Sequence, residues 1–503
     1  MDADIVERVK QAIKIEEIVT QDGFKLPERG RYRKAAHANG LVIDVRNQTY
    51  HWNGTGEYGD VIAWVMSRKK IDFKEAVTEL ASKAGLPEPQ WSRGDQAVRL
   101  AARARDDALT IAARVFAGWF WKSPLAQEYA QKRGWTLAKE SEEGENRDAG
   151  TAMRAMLGFS GAGTDAERKE MRDVFTREGV DLNSPVAVSV LGMKGNVASW
   201  AASHGITDLN EDWVLNGWIP GMLGRERLVY SHREGGRVVY LSARSIADKM
   251  HYNLPEVLVG GKRVYFNHEY APGEGAVVVV EGQADAVSLG QWEIPAVAMA
   301  GVKLDGDLVE LLRSRHKAVY VALDMDVAGM VNAWKVADQF GPMCRVLSAR
   351  DPMGVVFPTS EGMSDLQRQN IEKVNTYVQA LARVYSFPVR EQACRFDAST
   401  GREVKDMNDL LQAMTSVDVI EAEQRDSISR MLKNSPTFAE VTAAWAGSRQ
   451  GAERDQAVRD ALSVITRMGE LDMSQYRAKL AKWLGVGVRE LANMIKTYNE
   501  KAK

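Results

Sequence analysis

Three short acidic stretches hold the residues of this chain best suited to chemistry. Glu281 closes the apolar run "VVVVEG", Asp324 and Asp326 stand two apart in "VALDMD", and Asp406 lies in "VKDMNDLL". Alternate residues of an extended chain share a face, so Asp324 and Asp326 aim two carboxylates at one point beyond a strand end. If a neighbouring strand delivers Glu281 to the same edge, the result is an oxygen-rich cluster, and oxygen donors suit Mg²⁺. Packed together without a cation, such groups repel one another. Any single strand-end Asp is equally well explained by solvating a turn; the set together is not.

The elements that must position these side chains read as parallel α/β layering. "AVVVVEGQADAVSLGQW" and "HKAVYVALDMDVAGMVNAWKVADQF" each give a short apolar run, a polar turn and a helix-period segment, and open sheets of this kind bind ligands at the carboxyl ends of their strands. Upstream, "RLVYSHREGGRVVYLSAR" predicts a hairpin turning at "REGG". "DIVERVKQAIKIEEIV" followed by "GLVIDVRNQTYHW" predicts a helix and paired strands in a small α+β unit. A chain of 503 residues is too long for one core. The expected domains are 1–86, 103–275, 276–412 with an insertion near 355–395, and a helical 413–503, with a polar linker over 87–102.

Composition excludes several classes. Hydrophobic content of 45% with 27% charged residues is ordinary for a globular protein. No apolar stretch is long enough to cross a bilayer, and the charged start "MDADIVERVKQ" is unlike a secretory signal, so a cytoplasmic protein with no membrane partner is expected. Cys344 and Cys394 are the 2 cysteines, which excludes a disulfide framework and any four-cysteine metal site. A net charge of -2 gives no global pull on nucleic acid, so polyanion binding must rest on local basic patches. "GGKRV" lacks the first glycine and the hydroxyl residue of a phosphate-binding P-loop, so no fused helicase motor is expected.

The succession of apolar strand, "EGQAD", helix, apolar strand, "DMDVAG", helix resembles the Toprim fold shared by bacterial-type primases, topoisomerases and certain nucleases. The resemblance implies Glu281 as metal ligand or general base and Asp324 and Asp326 as ligands of Mg²⁺ or Mn²⁺, with Gly282, Asp285 and Gly329 completing the motifs. "KDMNDLL" resembles the segment after the last Toprim strand, giving Asp406 as third acidic ligand and Asn408 in place of a further carboxylate; Asp351 in "RDPMG" competes for that role. "EYAQKRGWT", "AMLGFSG" and "RLVYSHREGGRVVYLSARSIADKMHYNLPE" resemble landmarks of DnaG-type primases. With "GGKRVYF", the next basic landmark, and "EGQAD", they imply that Arg133, Arg244, Lys249, Asn253, Lys262 and Asp285 face a nucleotide triphosphate or template. A family lysine falls on Met250, and Lys249 one place earlier takes its part.

"GRYRKAAH" and "YHWNGTGEYGDVIAWV" resemble the two halves of the primase zinc ribbon, with Lys34, Trp52 and Thr55 at three ligand places and His37 alone retained. One histidine does not hold tetrahedral zinc, so no zinc is expected. Tyr50, Trp52, Tyr58 and Trp64 are expected to fill its place by packing rather than by stacking on bases. The implied whole is multidomain α+β and α/β: a degenerate zinc-ribbon-like domain, a DnaG-like RNA polymerase core with a Toprim α/β domain, and a helical C-terminal region. It implies a DNA primase of a phage or mobile element, making RNA primers from ribonucleoside triphosphates on a single-stranded DNA template, with a replicative helicase as partner of the C-terminal helices. A Toprim nuclease and a catalytically silent, DNA-binding replication or defence accessory are the rival readings.

Overall fold

The computed structural model describes residues 8–10, 12–38, 40–46, 48–52, 57–69, 71, 73–86, 93–137, 150–248, 250–271, 273, 275–325, 327–347, 404–416 and 419–502. Two compact units divide the chain, Met1–Ala104 and Arg105–Lys503.

The first unit is built on four strands, β1 (Tyr32–Lys34), β2 (Leu41–Asp44), β3 (Thr49–Trp52) and β4 (Glu57–Gly59), paired antiparallel in that spatial order. β2 turns Leu41 and Ile43 inward by simple alternation. Helices α1 (Ile15–Gln21), α2 (Val61–Lys69) and α3 (Phe73–Lys83) complete the unit and share its core through Ile15, Ile18, Ile62, Trp64, Val77 and Leu80. α2 starts at Asp60, whose Oδ1 accepts from the amides of Ile62 and Ala63 at 3.0 Å each, which satisfies two otherwise orphan donors. Gly59, at φ +156°, lets β4 run directly into α2: a Cβ there would meet the Ala63 Cβ at 2.4 Å.

Helix α4 (Arg93–Lys122) begins in the first unit and continues past the division at Ala104, and with α5 (Pro124–Lys132) it precedes the sheets of the second unit. This corrects the linker expected over 87–102, because the chain is helical from Arg93; residues 87–92 lie outside the described set. The alanines and arginines of "AVRLAARARDDALTIAARVF" are strong helix formers, and their summed preference outweighs the polarity that suggests a linker.

An antiparallel sheet follows, ordered β10 (His251–Asn253), β9 (Arg237–Ser245), β8 (Arg227–Glu234), β5 (Gly158–Phe159), beside a two-stranded ribbon of β6 (Met193–Lys194) and β7 (Trp218–Ile219). The β8–β9 hairpin turns at Gly235 and Gly236, with φ of +57° and +77°, the left-handed pair that a two-residue turn demands. The next sheet is ordered β11 (Tyr265–Phe266), β13 (Ala296–Ala298), β12 (Ala276–Val280), β14 (Ala318–Val321), β15 (Arg345–Val346). Its last four strands are parallel and β11 is an antiparallel edge. Helices α6 (Gln283–Gln291), α7 (Gly306–Arg315) and α8 (Val327–Phe340) supply the crossovers. Both faces of β12 are buried: Val278 and Val280 in the core shared with the antiparallel sheet, Val277 and Val279 in the core on the opposite face.

The C-terminal helices are α9 (Met407–Ser416), α10 (Glu421–Asn434), α11 (Phe438–Gly447), α12 (Gly451–Ile465), α13 (Glu470–Leu484) and α14 (Val488–Ala502). The boundary expected between 412 and 413 falls inside α9, and this region is not a separate body. Phe438, Leu462 and Leu480 share the core of Val277 and Val279. Their backbone is stitched to the sheet as well, the amides of Val346 and Phe438 donating to Pro436 and Cys344 carbonyls at 3.0 and 2.7 Å. Residues 355–395, the expected insertion, lie outside the described set. Among the described residues no helix is long and apolar enough to cross a membrane.

Candidate active site

The carboxyl edge of the parallel sheet is built by two neighbouring strands. β12 and β14 pair with Val279 opposite Val321, so Glu281, one residue past β12, and Asp324, three past β14, leave the same edge. Glu281 is exposed there, and its carbonyl accepts from the Ala300 amide at 2.9 Å. Asp324 is largely covered and pairs with the Lys405 ammonium at 2.7 Å. The turn is tight because α8 returns at once: a Cβ on Gly329 would lie 2.2 Å from the Asp324 carbonyl oxygen, so the glycine of "DMDVAG" is a packing requirement. Asp326 lies outside the described residues, as do Lys249 and Asp351.

The segment carrying Asp406 closes this edge. The Met325 amide donates to the Lys405 carbonyl at 2.7 Å, which places Asp406 beside the loop of Asp324. Asp406 starts α9 by accepting from the Asp409 amide at 2.6 Å. Its carboxyl is pushed above the usual range by burial and then by the Asp409 charge, with Lys405 and Arg133 pulling the other way. Asp285 is pushed up further, by burial and then by the charges of Asp406 and Asp324. These carboxylates therefore feel one another, as the sequence pattern implies. Asp409, absent from the expected set, joins them.

Asp285 itself is a correction. Expected to face nucleotide or template, it is buried, and its two oxygens accept from the amides of Asn408 at 3.0 Å and Gly282 at 3.3 Å. Its side chain ties the start of α6 to the start of α9 and is spent on that. Asn408, expected in place of a carboxylate, is likewise buried: its Oδ1 accepts from Arg133 at 2.7 Å and its Nδ2 donates to the Arg133 carbonyl at 3.0 Å and to Ser288 Oγ at 2.8 Å. This clamp fixes Arg133, whose other guanidinium nitrogen donates to the Tyr129 hydroxyl at 3.0 Å. Burial disfavours the charged guanidinium, but Tyr129, Tyr230 and Asp406 keep its pKa above the ordinary value.

A cationic cradle adjoins the acidic edge. His251 is lowered by burial and then by Arg244, Lys262 and Arg133, so three of the expected phosphate-facing residues converge on one ring. Arg244 Nε is buried without a hydrogen-bond partner, an orphan donor of the kind that an anion satisfies. Lys262 reaches the loop after β13: a Cβ on Gly301 would lie 2.9 Å from its Nζ. Asn253 is exposed on β10, opposite Ser242. Sequence reasoning did not single out Lys405, Tyr129 or His251; Lys405 precedes Asp406 and His251 precedes "YN", so adjacency was the available signal.

Within the first unit the ligand places of a zinc ribbon hold other chemistry. Lys34 is exposed on β1, His37 is exposed at φ +61°, and Thr55 lies outside the described residues. Trp52 stacks on Trp64 at 5.9 Å between ring centroids, Phe24 and Tyr50 meet these rings edge-on, and Arg68 lies 4.9 Å above Trp52. Trp64 Nε1 donates to Asp22 at 2.6 Å. The expected aromatic packing is present for Tyr50, Trp52 and Trp64; the Tyr58 side chain is outside the described set.

A Toprim-like family model matches residues 278–354 and a CHC2 zinc finger model matches residues 1–93. Over 380 residues the chain is 25% identical to a DNA primase of Haemophilus influenzae, covering 72% of this chain and 57% of that protein. It is 27% identical over 337 residues to a DNA primase of Geobacillus stearothermophilus, covering 62% and 49%. The chain is related to the DnaG-type primases. It spans about half the length of the curated relatives that it matches. Among solved structures it is similar to the zinc-binding and RNA polymerase domains of the Aquifex aeolicus primase, with a TM-score of 0.44 and 17% identity over 97% of this chain and 98% of that one. It is also similar to a DnaG primase catalytic domain bound to ssDNA, with a TM-score of 0.42 and 18% identity over 76% and 99%.

The Toprim-like domain of such primases implies a divalent metal. Among the described residues no group of three or more His, Cys, Asp or Glu side chains could hold a metal ion; Asp326, the other carboxylate expected as a ligand, lies outside them. The donor type is the one a divalent cation takes, since Asp324 and Asp406 are carboxylates that both act on the buried Asp285 from this edge, and a side-chain cation, Lys405, already sits on Asp324. Residues 1–93, which the CHC2 zinc finger model matches, contain no cysteine and so offer no thiolate ligand.

Proposed function

We propose that the chain is a DNA primase that joins ribonucleoside triphosphates into short RNA primers on a single-stranded DNA template. The observation that carries this reading is the Arg133–Asn408 clamp. It fastens a cation of the first half of the unit to the helix that follows Asp406, so that phosphate-binding and acidic groups share one edge. A nuclease would need the acidic edge without this cradle, which favours the polymerising reaction. The kinship to curated DNA primases supports the same conclusion.

Asp324, Asp326 and Asp406, with Glu281 beside them, would hold a divalent cation. When bound it neutralises triphosphate charge and eases ionisation of the primer 3′ hydroxyl. Arg133, Arg244 and Lys262 bind and orient the triphosphate, the guanidinium forks pairing with phosphate oxygens; the unpaired Arg244 Nε supports that assignment. Glu281, exposed at the strand end, is assigned the role of metal ligand or general base from the family resemblance. Lys249 and Asn253 are assigned to template or triphosphate contact from the family resemblance. A helicase partner for the C-terminal helices rests on that resemblance alone.

The ribbon-like unit works without zinc in this reading, its rings and Arg68 giving the cohesion that a structural metal supplies elsewhere.

The test is incorporation of labelled ribonucleotide on single-stranded DNA in Mg²⁺ or Mn²⁺. Wild type should make short RNA, and Asp326→Asn should reduce it by about a hundredfold or more. Equal synthesis by both proteins sinks the assigned site. DNA cleavage without synthesis favours the nuclease.

A further inference from the structure

A buried polar chain runs from the antiparallel sheet to the two groups that flank the proposed site. His232 lies on β8, and its Nδ1 is 3.1 Å from the Val264 carbonyl while its Nε2 is 2.8 Å from Ser242 Oγ. Ser242 Oγ in turn lies 2.9 Å from Gln283 Nε2. His232, Ser242 and Gln283 are all buried.

The bond directions are dictated by chemistry. A carbonyl only accepts, so Nδ1 carries the proton and donates to Val264. A neutral imidazole then has Nε2 as acceptor, filled by the Ser242 hydroxyl, whose oxygen accepts from Gln283. Every link is satisfied in one direction only. Burial pushes His232 down to about 4, which keeps the ring neutral. Tyr240 and Tyr265 hold it edge-on at 5.2 and 5.4 Å between centroids.

The ends of the chain matter. Val264 is two residues beyond Lys262, and Gln283 is two beyond Glu281. The ammonium of Lys262 lies against Gly301, next to Ala300, whose amide donates to the Glu281 carbonyl. One ring therefore fixes the strand end that presents a cradle cation and, through a serine, the turn that presents the acid. We propose that His232, Ser242 and Gln283 form a directional relay that sets the placement of Lys262 relative to Glu281, making the three of them positioning residues for the triphosphate site; the proposal rests on the primase reading above.

The experiment measures affinity of the full chain for trinitrophenyl-ATP in Mn²⁺ by fluorescence. It compares wild type with Ser242→Ala, Gln283→Leu and the double variant, and primer synthesis and thermal unfolding are followed in parallel. Each single variant should bind about tenfold more weakly while unfolding as cooperatively as wild type, and the double variant should be no weaker than the poorer single one. In primer synthesis the loss should fall on KM for nucleotide more than on kcat. Single variants that bind within twofold of wild type, or losses that multiply in the double variant, overturn the relay. A wild type that binds the analogue with this coupling but makes no primers supports the relay and sinks the primase reading instead.

Discussion

The two regions where the family implies a metal behave oppositely in this chain. In the ribbon-like unit the cysteines are gone and Phe24, Tyr50, Trp52 and Trp64 pack edge to face and face to face beneath Arg68. At the sheet edge the carboxylates are kept, crowded enough that Asp406 and Asp324 add to burial in pushing Asp285 upward. A structural metal supplies cohesion, and apolar ring area supplies cohesion too. A metal that meets a triphosphate supplies charge at a point, which no ring provides. Cohesion is thus replaceable by residues of a different kind, whereas charge is replaceable only by another cation. Lys405 on Asp324 is such a cation, and it is a side chain able to swing away.

The contrast is most easily broken at Trp64. This ring is fully buried, touches three other aromatics and donates to Asp22. Trp64→Ala should destabilise the first unit by about 3–5 kcal/mol, measured by denaturant unfolding of the full chain with fluorescence of the remaining ribbon tryptophan. Zinc chelators should leave the wild-type transition unmoved. Stoichiometric zinc in the purified protein, or a chelator-sensitive transition, would mean that cohesion was not handed to the rings after all.

At the other region the same logic predicts activity lost and stability kept. Asp324→Asn should lower primer synthesis by about 10²–10³-fold while raising or preserving the melting temperature, because it removes one of the crowded charges. Mg²⁺ should stabilise wild type by about 1.4 kcal/mol at ten times its Kd and stabilise Asp324→Asn less. If Mg²⁺ shifts both equally, the edge does not hold the ion, and charge is not what the carboxylates are kept for.

The sequence disclosed these two regions unequally, for a physical reason. Strand–turn–helix units around Glu281 and Asp324 show in local periodicity, and "REGG" shows in turn chemistry, so β8–β9, β12–α6 and β14–α8 were readable. The Arg133–Asn408 clamp joins residues 275 apart in sequence, and a pairing between side chains so distant leaves no local pattern. The same holds for α11 packing under β15, which turned an expected separate tail into part of the sheet's core. Asp285 was misassigned because a motif gives residue type but not direction; only the amides of Asn408 and Gly282 reveal that its carboxylate points inward. In the ribbon, aromatic composition sufficed to anticipate packing, since large rings near one another in a small unit have few other places to go.

The smallest expected effect separates ring area from charge within the ribbon itself. Arg68 is exposed, yet its guanidinium lies 4.9, 5.5 and 6.0 Å from the Trp52, Trp64 and Phe24 ring centres. An exposed cation over aromatic rings is worth about 0.5–1 kcal/mol. Arg68→Gln should therefore cost no more than this, and the loss should shrink as salt is raised, read from chemical unfolding in low and high salt. A loss approaching that of Trp64→Ala would mean that the guanidinium, not the rings, stands in for the missing metal. In that case both regions of the chain would obey the single rule that only a cation replaces a cation.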